Sequence, residues 1–228
     1  MKDIENNPLL QIQKFGQSIW LDFISRGMLT SGELKEMIKK DGLRGVTSNP
    51  AIFEKAIDDS HDYDNAISKL VRDGKSVEQI YSTLTVEDVQ QTADLFNTVY
   101  KQTNFSDGYV SLEVSPHLAH DTMGTINEAR RLWSDVNRPN VLIKVPATLE
   151  GLPAIRQLIS EGINVNVTLL FGLPRYRQAA EAYIAGLEAR AEQGNSVKNI
   201  ASVASFFVHR IDALVPLLDN SSHRAARR

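Results

Sequence analysis

The 228-residue chain is 42% hydrophobic and 23% charged, which is enough to bury a full core in one domain. Its 25 basic and 28 acidic residues give a formal net charge of −3 with no basic stripe, so nucleic acid and anionic membrane are poor partners. Cysteine is absent, which excludes disulfides, thiolate metal sites and cysteine nucleophiles together. The start, Met1 to Pro8, has no signal-like apolar core, and no later run reaches membrane-spanning length, so a cytoplasmic protein is expected.

In chain order, the first apolar run is SIWLDF at 18–23, after which Ser31 with Glu33 and Leu34 predicts the opening of a helix. GLRGVTS at 42–48 is the second strand candidate. Val89, Ala93, Phe96 and Tyr100 then recur at helical spacing. YVSLEV at 109–114, NVLIKV at 140–145 and INVNVTLL at 163–170 are the next three strand candidates. Tyr176, Ala180, Tyr183 or Ile184, Leu187 and Ala191 mark another amphipathic helix, with Gly194 placed to stop it, and NIASVASFF at 199–207 is the sixth strand candidate. Strands alternating with helices predict a parallel sheet, and no linker divides the chain, so residues 1–218 are expected to form one domain.

A parallel sheet is either open or closed into a barrel. The chain has no G-x-G-x-x-G after an early strand and no Walker loop, which argues against a nucleotide fold. Asp22, Asn49, Glu113, Lys144, Asn166 and Ser205 fall within or at the C-terminal ends of six different strand candidates. Catalytic groups of a (β/α)8 barrel collect there. The expected fold is therefore α/β, of the TIM (β/α)8-barrel type, incomplete, with about six βα units. Each position also has a plainer reading: Asp22 as a strand-ending turn residue, Asn49 before Pro50 as a helix cap, Glu113 as a residue on a solvated face.

Lys144 stands apart, because parallel strands covered by helices leave no wet face for an amine. A buried lysine is costly unless paired or used. It is either bridged to Asp22 or Glu113, or it is a nucleophile, since burial disfavours the charged form that cannot attack a carbonyl. Asn166 and Thr168, two apart, share one face of their strand and are suited to orienting a hydroxylated substrate. Lysine, carboxylates, amides and hydroxyls together point to imine-forming carbonyl chemistry. The rival is a metal-dependent aldolase using Glu113, His117, His120 and Asp121, although histidines three apart after Ser-Pro more often sit on a solvated helix start.

The segments GVTSNPAIF, SLEVSP, VLIKVPAT, GINVNVTLLF and ASFFVHRID, preceded by IWLDFISRGML, resemble the transaldolases in order and spacing to about residue 218, most closely the longer bacterial subfamily. The resemblance implies Lys144 as the Schiff-base residue, Asp22 as the carboxylate that takes the C4 hydroxyl proton, and Glu113 as the acid/base acting through water. It implies Asn49, Asn166, Thr168 and Ser205 as substrate-binding residues and Arg210 as a phosphate-binding one. The implied reaction moves a dihydroxyacetone unit from sedoheptulose 7-phosphate or fructose 6-phosphate to an aldose phosphate, in the pentose phosphate pathway, with no cofactor and no metal.

Six strands against eight, and 228 residues against roughly 250 for the bare fold, imply a truncated or frame-disrupted chain. Residues 219–228, with His223, Arg224, Arg227 and Arg228, are expected to be a disordered basic tail. Such a chain would expose sheet edges and self-associate through them, and it could act at most as an impaired phosphosugar-binding or interaction module.

Overall fold

The computed structural model describes residues 7–218. The predicted basic tail at 219–228 lies outside them. Six strands, β1 (Trp20–Leu21), β2 (Gly45–Thr47), β3 (Tyr109–Glu113), β4 (Val141–Pro146), β5 (Val165–Leu170) and β6 (Ser202–Phe206), pair in chain order, all parallel. Five lie inside their predicted runs, and β4 passes the end of its run by one residue, Pro146. β1 is short and ends just before Asp22.

Short helices α1 (Pro8–Gln11), α2 (Arg26–Ser31) and α3 (Glu33–Lys40) flank β1. The β2–β3 crossover holds α4 (Pro50–Asp58), α5 (Asp64–Arg72) and the long α6 (Val77–Gln102), whose Ser76 and Gln79 form a reciprocal capping box. One helix follows each later strand: α7 (Thr122–Val136), α8 (Gly151–Glu161), α9 (Leu173–Glu192) and α10 (Val208–Leu218). Gly194, at φ +76°, follows α9 as the sequence predicts. Ser31 does not open a helix as expected. It closes α2, and Gly32, at φ +80°, supplies the left-handed turn from which α3 starts at Glu33. Among the described residues no helix is long and apolar enough to cross a membrane.

Side-chain alternation gives the sheet two different faces. Val46, Val110, Leu112, Val141, Ile143, Val145, Val165 and Val167 pack with helix residues such as Val89, Phe96, Leu132 and Leu158 in the main core. The intervening residues Tyr109 and Leu142 belong to another cluster, against which Trp20 of β1 and Val203 of β6 both pack. Four strands separate β1 from β6 in the sheet order, so their meeting over one cluster shows that the sheet curls. The architecture is a curled half-barrel of six βα units, with helices outside and a lumen inside. Gly45 lets the Trp20 indole lie on β2, since a Cβ there would come within 2.4 Å of the ring.

Two buried polar links hold this frame. Asp88, on α6, accepts hydrogen bonds from Tyr63 Oη and Arg26 Nε, both at 2.8 Å, and so ties the start of α2 to the long helix. Burial pushes the Asp88 carboxyl up, with Tyr63 and Arg26 opposing. Asn140, just before β4, donates its amide hydrogens to Ala93 O at 2.9 Å and Gly108 O at 2.8 Å, joining α6, the β3 entry and β4 at one buried point. Replacing Asn140 by Ala removes both bonds and with them the buried tie between α6, the β3 entry and β4. The expected loss is about 2–3 kcal/mol, to be read as a lower urea midpoint at unchanged slope.

Candidate active site

The inward positions of β3 and β4 bring Glu113 and Lys144 side by side, at paired register. Lys144 is 4% exposed and its Nζ donates to Ser48 O at 3.0 Å, with Glu113 Oε2 at 3.3 Å. The amine therefore faces the lumen, not the helix-covered side. A parallel strand can bury a lysine here because the inner face of the curl supplies acceptors. The ion pair with Glu113, one of the two alternatives open from sequence, is present. Burial raises the Glu113 carboxyl first; Lys144 pulls it back down, and nearby Asp22 adds to the rise. Glu113 is thus a carboxyl that readily takes a proton, beside an amine that must lose one to attack a carbonyl.

Asp22 is exposed, one residue beyond β1, at the mouth and within electrostatic reach of Glu113. Asn49 fulfils the plainer reading as well: its Oδ1 accepts the Ile52 N–H at 3.0 Å and caps α4, leaving its amide hydrogens. Asn166 and Thr168 are both 1% exposed and follow one another on the inner face of β5. Ser205 Oγ donates to Asn166 Oδ1 at 2.8 Å, and Asn166 Nδ2 donates to Ser111 Oγ at 3.0 Å. Thr168 Oγ1 and Thr47 Oγ1 are buried without a hydrogen-bond partner. Such hydroxyls are costly to leave unmatched unless a ligand or water meets them. Just after Thr168, Leu169 adopts φ +61° at an irregularity in the β5–β6 register. A branched side chain in that region is strained, and such strain concentrates at functional sites.

Arg210 is exposed in the first turn of α10, with its guanidinium 5.2 Å from the Phe207 ring centre, and Phe207 stacks on Phe171. It belongs to the C-terminal side of β6 but is not joined to the Lys144 group by a hydrogen bond. The residues of the metal reading do not converge. His117 and His120 are exposed, His120 Nδ1 lies 3.3 Å from Glu150, and Asp121 caps α7 through the Gly124 N–H. Among the described residues no three His, Asp or Glu side chains are grouped to hold a metal ion.

A cavity of about 790 Å³ opens along the lumen between the β1 and β6 edges, lined by Trp20, Thr47, Tyr109, Asn166, Val203 and Ser205 among others. It reaches the amide and hydroxyl end of the site, while Lys144 and Glu113 stay outside its lining. Sequence reasoning missed three lumen residues: Thr47, Ser48 and Ser111. Alternation could have found two of them, because Thr47 and Ser111 lie two residues before Asn49 and Glu113. Ser48 contributes through its backbone carbonyl, which leaves no trace in residue type.

Residues 19–227 match the family model described as transaldolase/fructose-6-phosphate aldolase. A protein of Trichodesmium erythraeum named transaldolase is 54% identical over 207 residues, which cover 91% of this chain and 54% of that protein. A Nostoc species protein named transaldolase 2 is 52% identical, covering 90% and 54%, and a Thermobifida fusca transaldolase is 49% identical, covering 92% and 57%. The chain thus spans about half the length of the curated relatives it matches. With this match running through β1 to β6 and every lumen residue described above, the chain belongs to the transaldolase/fructose-6-phosphate aldolase family.

Proposed function

We propose that this site forms an imine between Lys144 and the C2 carbonyl of a ketose phosphate, such as sedoheptulose 7-phosphate or fructose 6-phosphate, and passes a dihydroxyacetone unit to an aldose phosphate. The observation that carries the reading is the buried Lys144 amine, held between the Ser48 carbonyl and a Glu113 carboxyl whose proton affinity is raised. Family membership and the names of the relatives support the reaction class. The pentose phosphate pathway and a cytoplasmic setting follow from that class as part of the same proposal, with residues 1–218 as the barrel domain.

In this reading Lys144 transfers a proton to Glu113 and its free amine adds to C2. Water then leaves, with Glu113 returning the proton, and the iminium forms. Asp22 accepts the C4 hydroxyl proton as the C3–C4 bond breaks, releasing an aldose and leaving an enamine on Lys144. The enamine carbon adds to the acceptor aldehyde, whose oxygen takes the proton back from Asp22, and hydrolysis of the resulting iminium through a water at Glu113 frees the product ketose and the Lys144 amine. Asn49, Asn166, Thr168 and Ser205 hold the substrate hydroxyls and the water, and Arg210 binds the phosphate, a task for which the guanidinium fork is shaped. The steps call for neither metal nor organic cofactor.

A second reading has its own support. Among the described residues, β1 pairs only with β2 and β6 only with β5, so the curl has two open edges. Open parallel edges recruit other strands. On this reading the chain self-associates through them and binds sugar phosphates without turning them over.

Three measurements test these readings. Fructose 6-phosphate with borohydride is expected to label Lys144 covalently. Lys144→Met should abolish the label, Glu113→Gln should slow it by about a hundredfold or more, and an unlabelled parent chain would refute imine formation. The Glu113 carboxyl, followed by carbon NMR, should titrate above the ordinary Glu range and move higher still in Lys144→Met, because the cation that holds it down is gone. Size-exclusion chromatography should show species larger than a monomer that grow with concentration; a sharp monomer peak with a cooperative melt would rule out edge association.

A further inference from the structure

We infer that Ser111 is a positioning residue for the substrate amide: its hydroxyl sets which way the Asn166 carboxamide faces, and through Asn166 it sets the Ser205 hydroxyl. This inference deepens the imine reading and rests on it for its kinetic consequence.

Ser111 is completely buried, at the inner position of β3 two residues before Glu113. A serine there brings no apolar area to the cluster of Tyr109 and Leu142 below it, and a buried hydroxyl is favourable only when bonded. Its Oγ accepts one Asn166 amide hydrogen at 3.0 Å, a bond that spans the lumen from β5 to β3 past the intervening β4, which carries Lys144. Its carbonyl O accepts Ser48 Oγ at 2.8 Å, and the carbonyl of Ser48 in turn holds the Lys144 amine. Ser111 is therefore the residue at which the amine-holding Ser48, just past β2, and the Asn166 amide of β5 meet.

A carboxamide has two nearly isosteric ends, and only its partners decide which end is oxygen. With Ser111 accepting from Nδ2, Oδ1 is turned to Ser205 and accepts its hydrogen at 2.8 Å. One amide hydrogen is then committed and the second is left to meet a substrate hydroxyl. The Ser205 oxygen, having given its hydrogen to Asn166, presents lone pairs to whatever enters the cavity that both residues line. Without the Ser111 oxygen the amide can turn over, its NH2 facing Ser205, and the donor and acceptor pattern offered to a ketose inverts.

Ser111→Ala and the isosteric Ser111→Cys remove the strong acceptor, the second without opening a void. Both are expected to raise the fructose 6-phosphate concentration that half-saturates borohydride labelling of Lys144 by about tenfold, the equivalent of one hydrogen bond. The saturating rate should change far less, since Lys144 and Glu113 keep their contacts. Ser111→Ala combined with Ser205→Ala should cost clearly less than the two single losses multiplied, because the two serines act through one amide. Equal half-saturation in the parent and both variants, or a fall in saturating rate alone, would overturn the inference. A chain that never labels would overturn the imine reading instead. In that event the Asn166 side-chain amide signals still decide the geometry: they should be slow to exchange in the parent and fast in both variants, and unchanged signals would refute the role of Ser111.

Discussion

An amine inside a sheet has to be met by acceptors, and Lys144 is met by two: the Ser48 carbonyl at 3.0 Å and the Glu113 carboxylate at 3.3 Å. Most of what is particular about this molecule follows from that requirement. A flat parallel sheet between helix layers could not satisfy it, since both faces would be apolar. Curling the sheet makes the inner face concave, so that side chains of β2 to β6 converge and polar groups can satisfy one another. The apolar work is handed to the outer face, where Val46, Val110, Ile143 and Val165 lie against the helices.

The lumen is layered by the same alternation. Near the N-terminal ends of the strands it is aromatic and aliphatic, with Trp20, Tyr109, Leu142 and Val203 gathered over Gly45. Two residues further along each strand it becomes polar, with Thr47, Ser111, Lys144 and Ser205, and Asn166 beside them. Trp20, Tyr109 and Val203 of the apolar layer also form part of the cavity wall. The polar layer lies toward the C-terminal ends of the strands. Thr47 lies in this layer, while Thr168 and the positive-φ Leu169 lie two and three residues beyond Asn166 on β5, and strain of the Leu169 kind concentrates at functional sites.

Much of this was legible before folding was considered. The alternation of apolar runs with helical periods named all six strands and the long helices, because period two and period 3.6 are direct consequences of backbone geometry. One helix start was misplaced: Ser31 carries a capping residue's chemistry, yet the turn was made by Gly32, whose positive φ is available at little cost only to glycine. Lys144 stood out because an amine in an apolar strand is expensive. Glu113, Asn166 and Thr168 were legible as candidates from strand position alone. Ser111 was not, since a serine within a strand is unremarkable by type, and Ser48 acts through a carbonyl that every residue has.

What the sequence by itself determined is the inventory: six strands of parallel type, a family, and a set of polar residues all spaced to fall near strand ends. Each of those rests on local chemistry or on residue order, which the chain carries whether or not it is folded. Only the tertiary structure decided which groups touch. The Lys144–Glu113 pair, the Asn166 amide between Ser205 and Ser111, and the contact of Trp20 with the cluster that also meets Val203 join residues 31 to more than 180 positions apart. Such contacts depend on the register and curvature of the sheet, which arise from all six strands packing at once, and no single segment encodes them.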